Sequence, residues 1–460
     1  MYSRRWLLRA IGLGALAAGA GCAGTEDGPS GAAEPTRPAT GRPATRTRSS
    51  TARPTTREPT TDAASSTTTD PEPETTGTEA ETATEPETAE SPQPGWSERN
   101  ALPVEQSAAG GAVLDGRLYY FGGFETGPDL NAVARAFQYD PAAGVDTDTG
   151  NDTGTATDTN GDAGIDADDP TGCWDRIADL PAKLWAPCGV ASDAAVYSFG
   201  GAPPNSPYRT DDPPTDRIFS YSPGENWTNL TARTGVRCPY PNWAMTGAYD
   251  SEANLIYCVG GATAVTDRES ATDHGTDSDS VGRFDETRVW TFDPVTGTVV
   301  DPDFARLPEG KRWATIAIVD AGGRKYLHAI GGGRGVVGPT DSNYRIDLAT
   351  GAVTAMTPTP RPAFYATTAN PVLDGEVYLT HARPGNDAPK NGYTTRSYRY
   401  DPGADRFAEL TARPEYVRSR AVDGVIDGRL YVAGGHVKRY ARNDLHDAVR
   451  YNERYIPPDE

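Results

Sequence analysis

Short runs of alternating apolar and polar residues recur along the chain from Trp96 onward, for example Phe137-Gln138-Tyr139 and Tyr398-Arg399-Tyr400. Because side chains alternate between the two faces of a strand, each run predicts a β-strand. Asp-Gly pairs such as Asp115-Gly116 and Asp374-Gly375 are typical of type I′ hairpins, and Asp-Pro pairs indicate further turns. The pattern therefore predicts an all-β body.

A Gly-Gly pair follows a short apolar strand at five positions along this body. The pairs are Gly122-Gly123, Gly200-Gly201, Gly260-Gly261, Gly331-Gly332 and Gly434-Gly435, and Tyr378-Leu379-Thr380-His381-Ala382 is a degenerate sixth copy. Downstream of each copy another strand leads into a turn, and the last of these is Val449-Arg450-Tyr451-Asn452. A bulky residue then precedes a Leu-Pro or similar turn, as Trp174 precedes Leu180-Pro181. Each unit predicts four strands once residues 141–172 are set aside as an acidic insert.

These units resemble the kelch repeat, whose period is about 50 residues. Six copies imply a six-bladed kelch-type β-propeller over residues 96–460. The last copy supplies three strands, whereas Trp96-Ser97-Glu98-Arg99-Asn100-Ala101-Leu102-Pro103 matches the fourth-strand pattern. We therefore expect the N-terminal strand to complete the sixth blade, which leaves no major open sheet edge.

An aromatic residue followed by alanine is predicted to open the innermost strand of four successive blades. The aromatic residues are Trp185, Trp243, Trp313 and Tyr365, and Arg418-Ser419 stands at about this position in the sixth blade. A ring of such residues at the channel mouth predicts a platform on which sugar rings or another flat ligand would stack. Packing between neighbouring blades is the alternative interpretation.

Polar residues follow several of the predicted second strands on the same face of the propeller. They are Arg334, Arg383, His381, His436 and Lys438, and they indicate a site for a carboxylate or phosphate. Solvated loop charges are the alternative. Long loops over 202–216 and 262–287 share this face, and loops of this length commonly carry binding residues.

The N-terminus predicts an export signal. Ser3-Arg4-Arg5-Trp6-Leu7-Leu8-Arg9 resembles a twin-arginine signal, and the apolar run that follows is too short to span a bilayer. Gly19-Ala20-Gly21-Cys22 resembles a lipobox, which would make Cys22 the lipidated residue, although Gly19 departs from the usual Leu-like residue. Residues 1–22 are therefore predicted to be a signal peptide with its lipobox, cleaved so that the lipidated Cys22 becomes the new N-terminus, and the lipid bilayer is a predicted partner through Cys22. Plain secretion is the alternative.

Residues 23–95 consist largely of Thr, Pro, Ala, Ser, Glu and Arg. Such a segment cannot bury enough apolar surface to compensate for the entropy of ordering, so we expect a disordered stalk. Together with the export signal it predicts a protein anchored by lipid at the extracellular face of the cell membrane.

Acidic residues outnumber basic ones by 64 to 43 over 460 residues, which gives a formal net charge of −21. A surface this acidic repels phosphate and argues against nucleic-acid binding. The charge, export signal, lipobox and stalk together resemble surface lipoproteins of halophilic archaea, in which acidic side chains keep a protein dispersed in concentrated salt.

One stretch of the insert resembles an EF-hand-type calcium loop. Its oxygen ligands would be Asp158, Asn160, Asp162, Asp166 and Asp169. Ala163 replaces the sharp-turn glycine and Asp169 replaces the bidentate glutamate, so a disordered acidic insert without calcium is the alternative. Calcium is the one cofactor for which the sequence offers a candidate site.

The body contains Cys173, Cys188, Cys238 and Cys258, and export makes one or two disulfides expected. Three full pairings are open, and the sequence does not choose among them. Asn151, Asn226 and Asn229 stand in glycosylation sequons.

The sequence lacks a Gly-x-Ser-x-Gly motif, a phosphate loop and a zinc-binding HExxH motif. Galactose oxidase and the sialic acid epimerases share the kelch scaffold, but no catalytic residue of theirs can be placed on this chain. The prediction is therefore an extracellular binding module for glycan or protein. A sugar epimerase or oxidase that uses the channel mouth is the alternative.

Overall fold

A computed structural model of the protein describes residues 94–126, 131–143, 172–204, 213–264, 283–334, 338–384, 393–438 and 446–458. The chain divides into two units, and all the described residues belong to the second, Glu87–Glu460. The predicted signal peptide, Cys22, nearly all of the stalk and the calcium-type loop lie outside the described residues. Within the described part, no helix has the length and apolar character needed to cross a membrane.

The described body is almost entirely β-structure, with one short helix, α1 (Leu230–Thr234). In chain order the strands are β1 (Gly95–Glu98), β2 (Gly110–Leu114), β3 (Arg117–Phe121), β4 (Phe124–Glu125), β5 (Asn131–Ala132), β6 (Ala136–Asp140), β7 (Cys173–Ile177), β8 (Cys188–Ala191), β9 (Val196–Phe199), β10 (Ile218–Tyr221), β11 (Thr228–Asn229), β12 (Thr246–Asp250), β13 (Leu255–Val259), β14 (Ala262–Ala264), β15 (Arg283–Asp285), β16 (Arg288–Asp293), β17 (Thr298–Arg306), β18 (Thr315–Asp320), β19 (Lys325–Ile330), β20 (Gly333–Arg334), β21 (Gly338–Pro339), β22 (Asn343–Asp347), β23 (Val353–Met356), β24 (Val372–Leu373), β25 (Glu376–Leu379), β26 (Tyr398–Asp401), β27 (Arg406–Glu409), β28 (Val422–Ile426), β29 (Arg429–Ala433), β30 (His436–Lys438), β31 (His446–Ala448) and β32 (Asn452–Ile456).

Six four-stranded antiparallel sheets form the blades of a β-propeller, as the repeats predict. From the axis outward they are β2-β3-β6-β7, β8-β9-β10-β11, β12-β13-β16-β17, β18-β19-β22-β23, β24-β25-β26-β27 and β28-β29-β32-β1. The first strand of each blade is innermost, since these strands pack against one another around the axis. Four two-stranded ladders, β4-β5, β14-β15, β20-β21 and β30-β31, extend from the ends of second and third strands in blades 1, 3, 4 and 6.

The Gly-Gly pairs join neighbouring blades. The first glycine of each pair has a φ between 59° and 66°, a left-handed conformation that is unfavourable for a residue with a Cβ. The N–H of the second glycine donates to a carbonyl of the next blade: Gly123 to Leu184, Gly201 to Asn242, Gly261 to Lys311, Gly332 to Ala363 and Gly435 to Gln106. In the degenerate copy His381 takes the place of the first glycine and keeps its left-handed backbone, with a φ of 53°.

The sixth blade is completed by the N-terminal strand, as predicted. β1 pairs antiparallel with β32, and Trp96 lies opposite Tyr455. The N–H groups of Arg99 and Leu102 continue the contact by donating to the carbonyls of Asn452 and Arg450. The third strand of this blade is predicted at Val449–Asn452 but occupies Asn452–Ile456, and residues 449–451 connect it to the ladder strand β31.

No disulfide joins any of the four cysteines of the body in the structure, which differs from the one or two expected. Cys188, Cys238 and Cys258 are buried in one core cluster between blades 2 and 3.

Of the glycosylation sequons, Asn226 is exposed, Asn229 caps α1 by accepting the N–H of Ala232, and Asn151 lies outside the described residues.

Candidate functional site

The channel mouth is built from residues that precede the inner strands. In each blade one such residue forms a backbone bridge with the residue that follows the second strand. The bridged pairs are Ser107 with Phe124, Trp185 with Ala202, Trp243 with Ala262, Arg312 with Gly333, Phe364 with Arg383, and Ser419 with His436. In the first four blades a large side chain faces a small one, so each of these blades contributes one bulky group from its bridged pair.

In five blades the residue after the bridge lines the narrow channel cavity and has a left-handed backbone. These residues are Ala108, Ala186, Ala244, Trp313 and Arg420, with φ values of 48°, 49°, 58°, 47° and 55°. Their backbones form a hydrogen-bonded arc in which each N–H donates to the carbonyl of the preceding member: Ala108 to Arg420, Ala186 to Ala108, Ala244 to Ala186 and Trp313 to Ala244. Tyr365, at the matching position in blade 5, does not adopt this conformation, so the arc is interrupted between Trp313 and Arg420.

Three of the four predicted platform residues meet at the mouth. The ring centroids of Trp185 and Trp243 are 4.9 Å apart, those of Trp243 and Trp313 are also 4.9 Å apart, and Phe364 lies 6.0 Å from Trp313. The three indoles are 1%, 3% and 7% exposed, because they cover one another and the neighbouring alanines. The tryptophans therefore form a packed plug at the mouth, and Trp313 is its most exposed member.

Tyr365 is not part of this plug. It is buried between blades 4 and 5 beside Leu379 and Tyr398, and its hydroxyl donates to the carbonyl of Arg361. Phe364 takes the mouth position instead. The Trp-Ala motif is also shifted by one residue in blade 4, since Arg312, and not Trp313, is the counterpart of the bridging residues Trp185 and Trp243.

Arg420 is a mouth residue that the sequence analysis missed. Its guanidinium carbon lies 3.8 Å from the ring centroid of Trp313, which is a close cation–π contact. Both residues immediately follow a bridging residue and flank the gap in the arc. Counting positions back from the inner strand at Val422, and not from the Trp-Ala motif, would have selected Arg420.

The predicted site residues Arg418 and His381 lie away from the mouth, in a buried cluster between blades 5 and 6. Glu453 Oε2 accepts hydrogen bonds from Arg418 Nη2 at 2.8 Å and lies 3.0 Å from His381 Nε2. All three side chains are at most 1% exposed. Burial, followed by the positive charge of Arg418, lowers the pKa of His381 to about 4, so the imidazole is neutral near pH 7.

His436 borders the plug, and Arg383 and Arg334 lie farther out. His436 is buried, its Nδ1 is 2.8 Å from Ser107 Oγ, and its ring contacts Phe124. Arg383 is partly exposed and lies over the rings of Phe364 and Tyr393. Arg334 is partly exposed and pairs with Glu309. The side chain of Lys438 lies outside the described residues.

A narrow cavity of about 40 Å³ lies beneath Trp313 and Arg420. This volume holds a few water molecules and excludes a sugar ring. A wider cavity of about 370 Å³ at the opposite end of the channel shares Gly111, Gly189 and Gly247 with it. A ligand at the mouth must therefore contact the outer surface of the plug and its rim of partly exposed arginines.

Asp423 is a carboxylate buried in the channel wall. Its Oδ1 accepts the N–H groups of Thr368 and Ala369, which belong to the irregular segment before β24. Burial raises the pKa of Asp423 to about 7, while the hydrogen bonds from Thr368 and Ala369 oppose this rise.

Among the described residues, no group of three or more His, Cys, Asp and Glu side chains is placed to hold a metal ion. The calcium ligands predicted between Asp158 and Asp169 lie outside those residues.

No protein-family model matches the chain, and a search of curated proteins gives no match either.

Proposed function

We propose that the chain is a cell-surface binding module, a kelch-type propeller that binds a glycan or protein ligand at the channel mouth. The observation that carries the proposal is the aromatic plug capped by Arg420, on the face from which the two-stranded ladders extend. Aromatic faces and arginine donors are the groups that proteins use to hold sugar rings and their hydroxyl or carboxylate groups.

The plug determines how such a ligand would bind. Because the indoles of Trp185 and Trp243 are covered, the contacts would come from Trp313 and from the arginines around it, Arg312, Arg383 and Arg420, which are all partly accessible. The tryptophans beneath would support these groups. A shallow, polar rim over a rigid apolar base suits an extended glycan or a protein loop better than a small enclosed molecule.

A glycan array tests the binding proposal. Arg420→Gln and Arg383→Gln should weaken binding at least tenfold, while Arg413→Gln, on an exposed side chain elsewhere, should not change it. Trp243→Ala and Trp313→Ala should also weaken binding, with melting temperatures measured to separate lost binding from unfolding. Equal binding by the rim variants and the parent would contradict the proposal. Turnover assays on the glycans that bind would separate a binding module from a sugar epimerase or oxidase.

The anchor is tested separately. The twin-arginine signal and Cys22 support export and lipidation, and the halophile-like charge of −21 supports a protein that works in concentrated salt. Cys22→Ala should release the protein from the membrane fraction into the medium, and Arg4→Lys with Arg5→Lys should block export. Unchanged membrane association of the Cys22 variant would contradict lipid anchoring.

A further inference from the structure

Two buried thiols lie side by side where blade 2 meets blade 3. Cys188 begins the inner strand β8, and Cys258 lies in β13 directly opposite Gly247 of β12. Opposed residues of an antiparallel pair have their Cβ positions about 5 Å apart on one face. Cys188 Sγ lies 3.5 Å from where a Cβ on Gly247 would be, so it occupies the space beside Cys258.

The other two cysteines have different surroundings. Cys238 lies in the segment that links blade 2 to blade 3, where burial and then Cys188 raise the pKa of its thiol, and Asn242 and the backbone of Gly200 oppose this rise. After burial, Cys188 is the group that raises the pKa of the Cys258 thiol most, and Cys238 contributes less. Cys173 lies in β7, the outer strand of blade 1, and does not belong to the core cluster shared by the other three.

We propose that Cys188 and Cys258 form a disulfide that joins blade 2 to blade 3 when the chain folds in an oxidising compartment, and that Cys173 and Cys238 remain thiols. The cross-link would fasten an inner strand of one blade to the second strand of the next. Formation of this disulfide in the cell rests on the proposed export, since export places the chain in an oxidising compartment. The pairing of Cys188 with Cys258 does not, because it depends on the fold alone.

The oxidant is a low-molecular-weight disulfide. One cysteine thiolate attacks the donor, breaks the donor S–S bond and releases one donor thiol. The second cysteine then displaces the other donor thiol, so one S–S bond forms in the protein and two thiols leave with the two protons. This exchange would take place during folding, before burial closes over the pair.

The folded protein would protect the bond once it has formed. Cys188 and Cys258 are 2% and 0% exposed, and burial raises the pKa of the Cys258 thiol well above its ordinary value. Because thiol–disulfide exchange requires an accessible thiolate, reductant would reach the bond only after blades 2 and 3 separate.

The test is to refold the full chain with a mixture of reduced and oxidised glutathione, block free thiols, digest without reduction and analyse the peptides by mass spectrometry. The expected product is a cross-linked peptide that contains Cys188 and Cys258, with Cys173 and Cys238 blocked. Reduction of the denatured chain followed by refolding without oxidant should lower the melting temperature, on the order of 5 °C.

Cys238→Ser should retain the cross-link, and Cys258→Ser should abolish it. A dominant peptide that joins Cys238 to either partner, or blocking of all four thiols of the propeller body in the parent chain, would overturn the proposal. Because the assay needs neither ligand nor export, its failure would leave the proposed binding function untouched.

Discussion

The guanidinium of Arg420 lies 3.8 Å from the centre of the Trp313 ring and spans the one gap in the left-handed arc around the channel. Blade 5 does not supply a member of this arc, which leaves a gap between Trp313 and Arg420. The contact between these two side chains spans the gap. Both side chains line the narrow cavity, and the contact places a cation against the most exposed tryptophan of the plug.

Arg420→Ala should uncover Trp313 and lower the free energy of unfolding by about 1 kcal/mol, because it removes one partly exposed cation–π contact. Acrylamide quenching of tryptophan fluorescence should increase at the same time. Arg413→Ala, which removes an exposed arginine that pairs with Glu409, is the matched control and should change neither quantity. Unchanged quenching in the Arg420 variant would show that the guanidinium does not cover the indole.

The sequence could predict those features of the fold that depend on backbone chemistry. Gly-Gly pairs are visible because a left-handed φ and close approach to the next blade both favour glycine, and Asp-Gly pairs are visible because type I′ turns need positive φ at both central residues. Closure by Trp96 was also predictable, since the last repeat lacked one strand that the first segment supplies.

The site was less predictable because side-chain positions there depend on single-residue offsets. The Trp-Ala motif looks identical in blades 3 and 4, yet Trp313 lies one position farther along than Trp243 relative to its bridge. In blade 6 the offset has the opposite direction, since Arg418 precedes the bridging residue Ser419, and Arg420 occupies the place that corresponds to Trp313. Burial of the indoles depends on contacts between three blades, which no local pattern encodes.

Asp423 should make the protein less stable as the pH rises. Its folded pKa of about 7 lies above the ordinary value of 3.8, so between these values the folded state keeps a proton that the unfolded chain has released. Stability is therefore greatest at low pH with respect to this group, and it falls as the pH rises through 7.

Asp423→Asn keeps an oxygen that can accept the N–H groups of Thr368 and Ala369 and removes the charge. The variant should match the parent near pH 4 and exceed its stability by on the order of 3 kcal/mol at pH 8, measured by denaturant unfolding. Asp115→Asn, in an exposed turn, is the control. A variant that is less stable than the parent at pH 8 would contradict the proposed ionisation penalty.

Glu453 should be the most sensitive member of the buried cluster between blades 5 and 6. It neutralises Arg418 and also accepts the backbone N–H of Glu415. Glu453→Gln leaves Arg418 buried without a countercharge, which should cost on the order of 3 kcal/mol of unfolding free energy. Glu415→Gln, on an exposed side chain, should change it by less than about 0.5 kcal/mol. Similar losses of unfolding free energy in both variants would contradict the role of Glu453 as the countercharge of Arg418.

His381 should make the protein sensitive to acid. Its folded pKa of about 4 is below its ordinary value of 6.5, so the unfolded chain takes up a proton first as the pH falls. Stability is therefore lost between about pH 6.5 and 4. His381→Asn, which suits the left-handed backbone, should reduce this loss by about 2 kcal/mol, measured as the difference in unfolding free energy between pH 7 and pH 4.5. An unchanged pH dependence would exclude His381 as its source.

The N-terminal strand should control the stability of the whole ring. Trp96 packs against Tyr455 and His381, with both ring centroids 5.2 Å away, and β1 covers the outer edge of β32. A chain that begins at Arg99 would lose the aromatic contacts and expose the hydrogen-bonding edge of β32 to other chains. We expect its melting temperature to fall by about 10 °C or more and its solubility to drop, since several kcal/mol of contacts are removed together. A chain that begins at Pro94 keeps β1 and should melt as the parent does. Equal melting temperatures for the two truncated chains would show that the ring does not depend on this strand for closure.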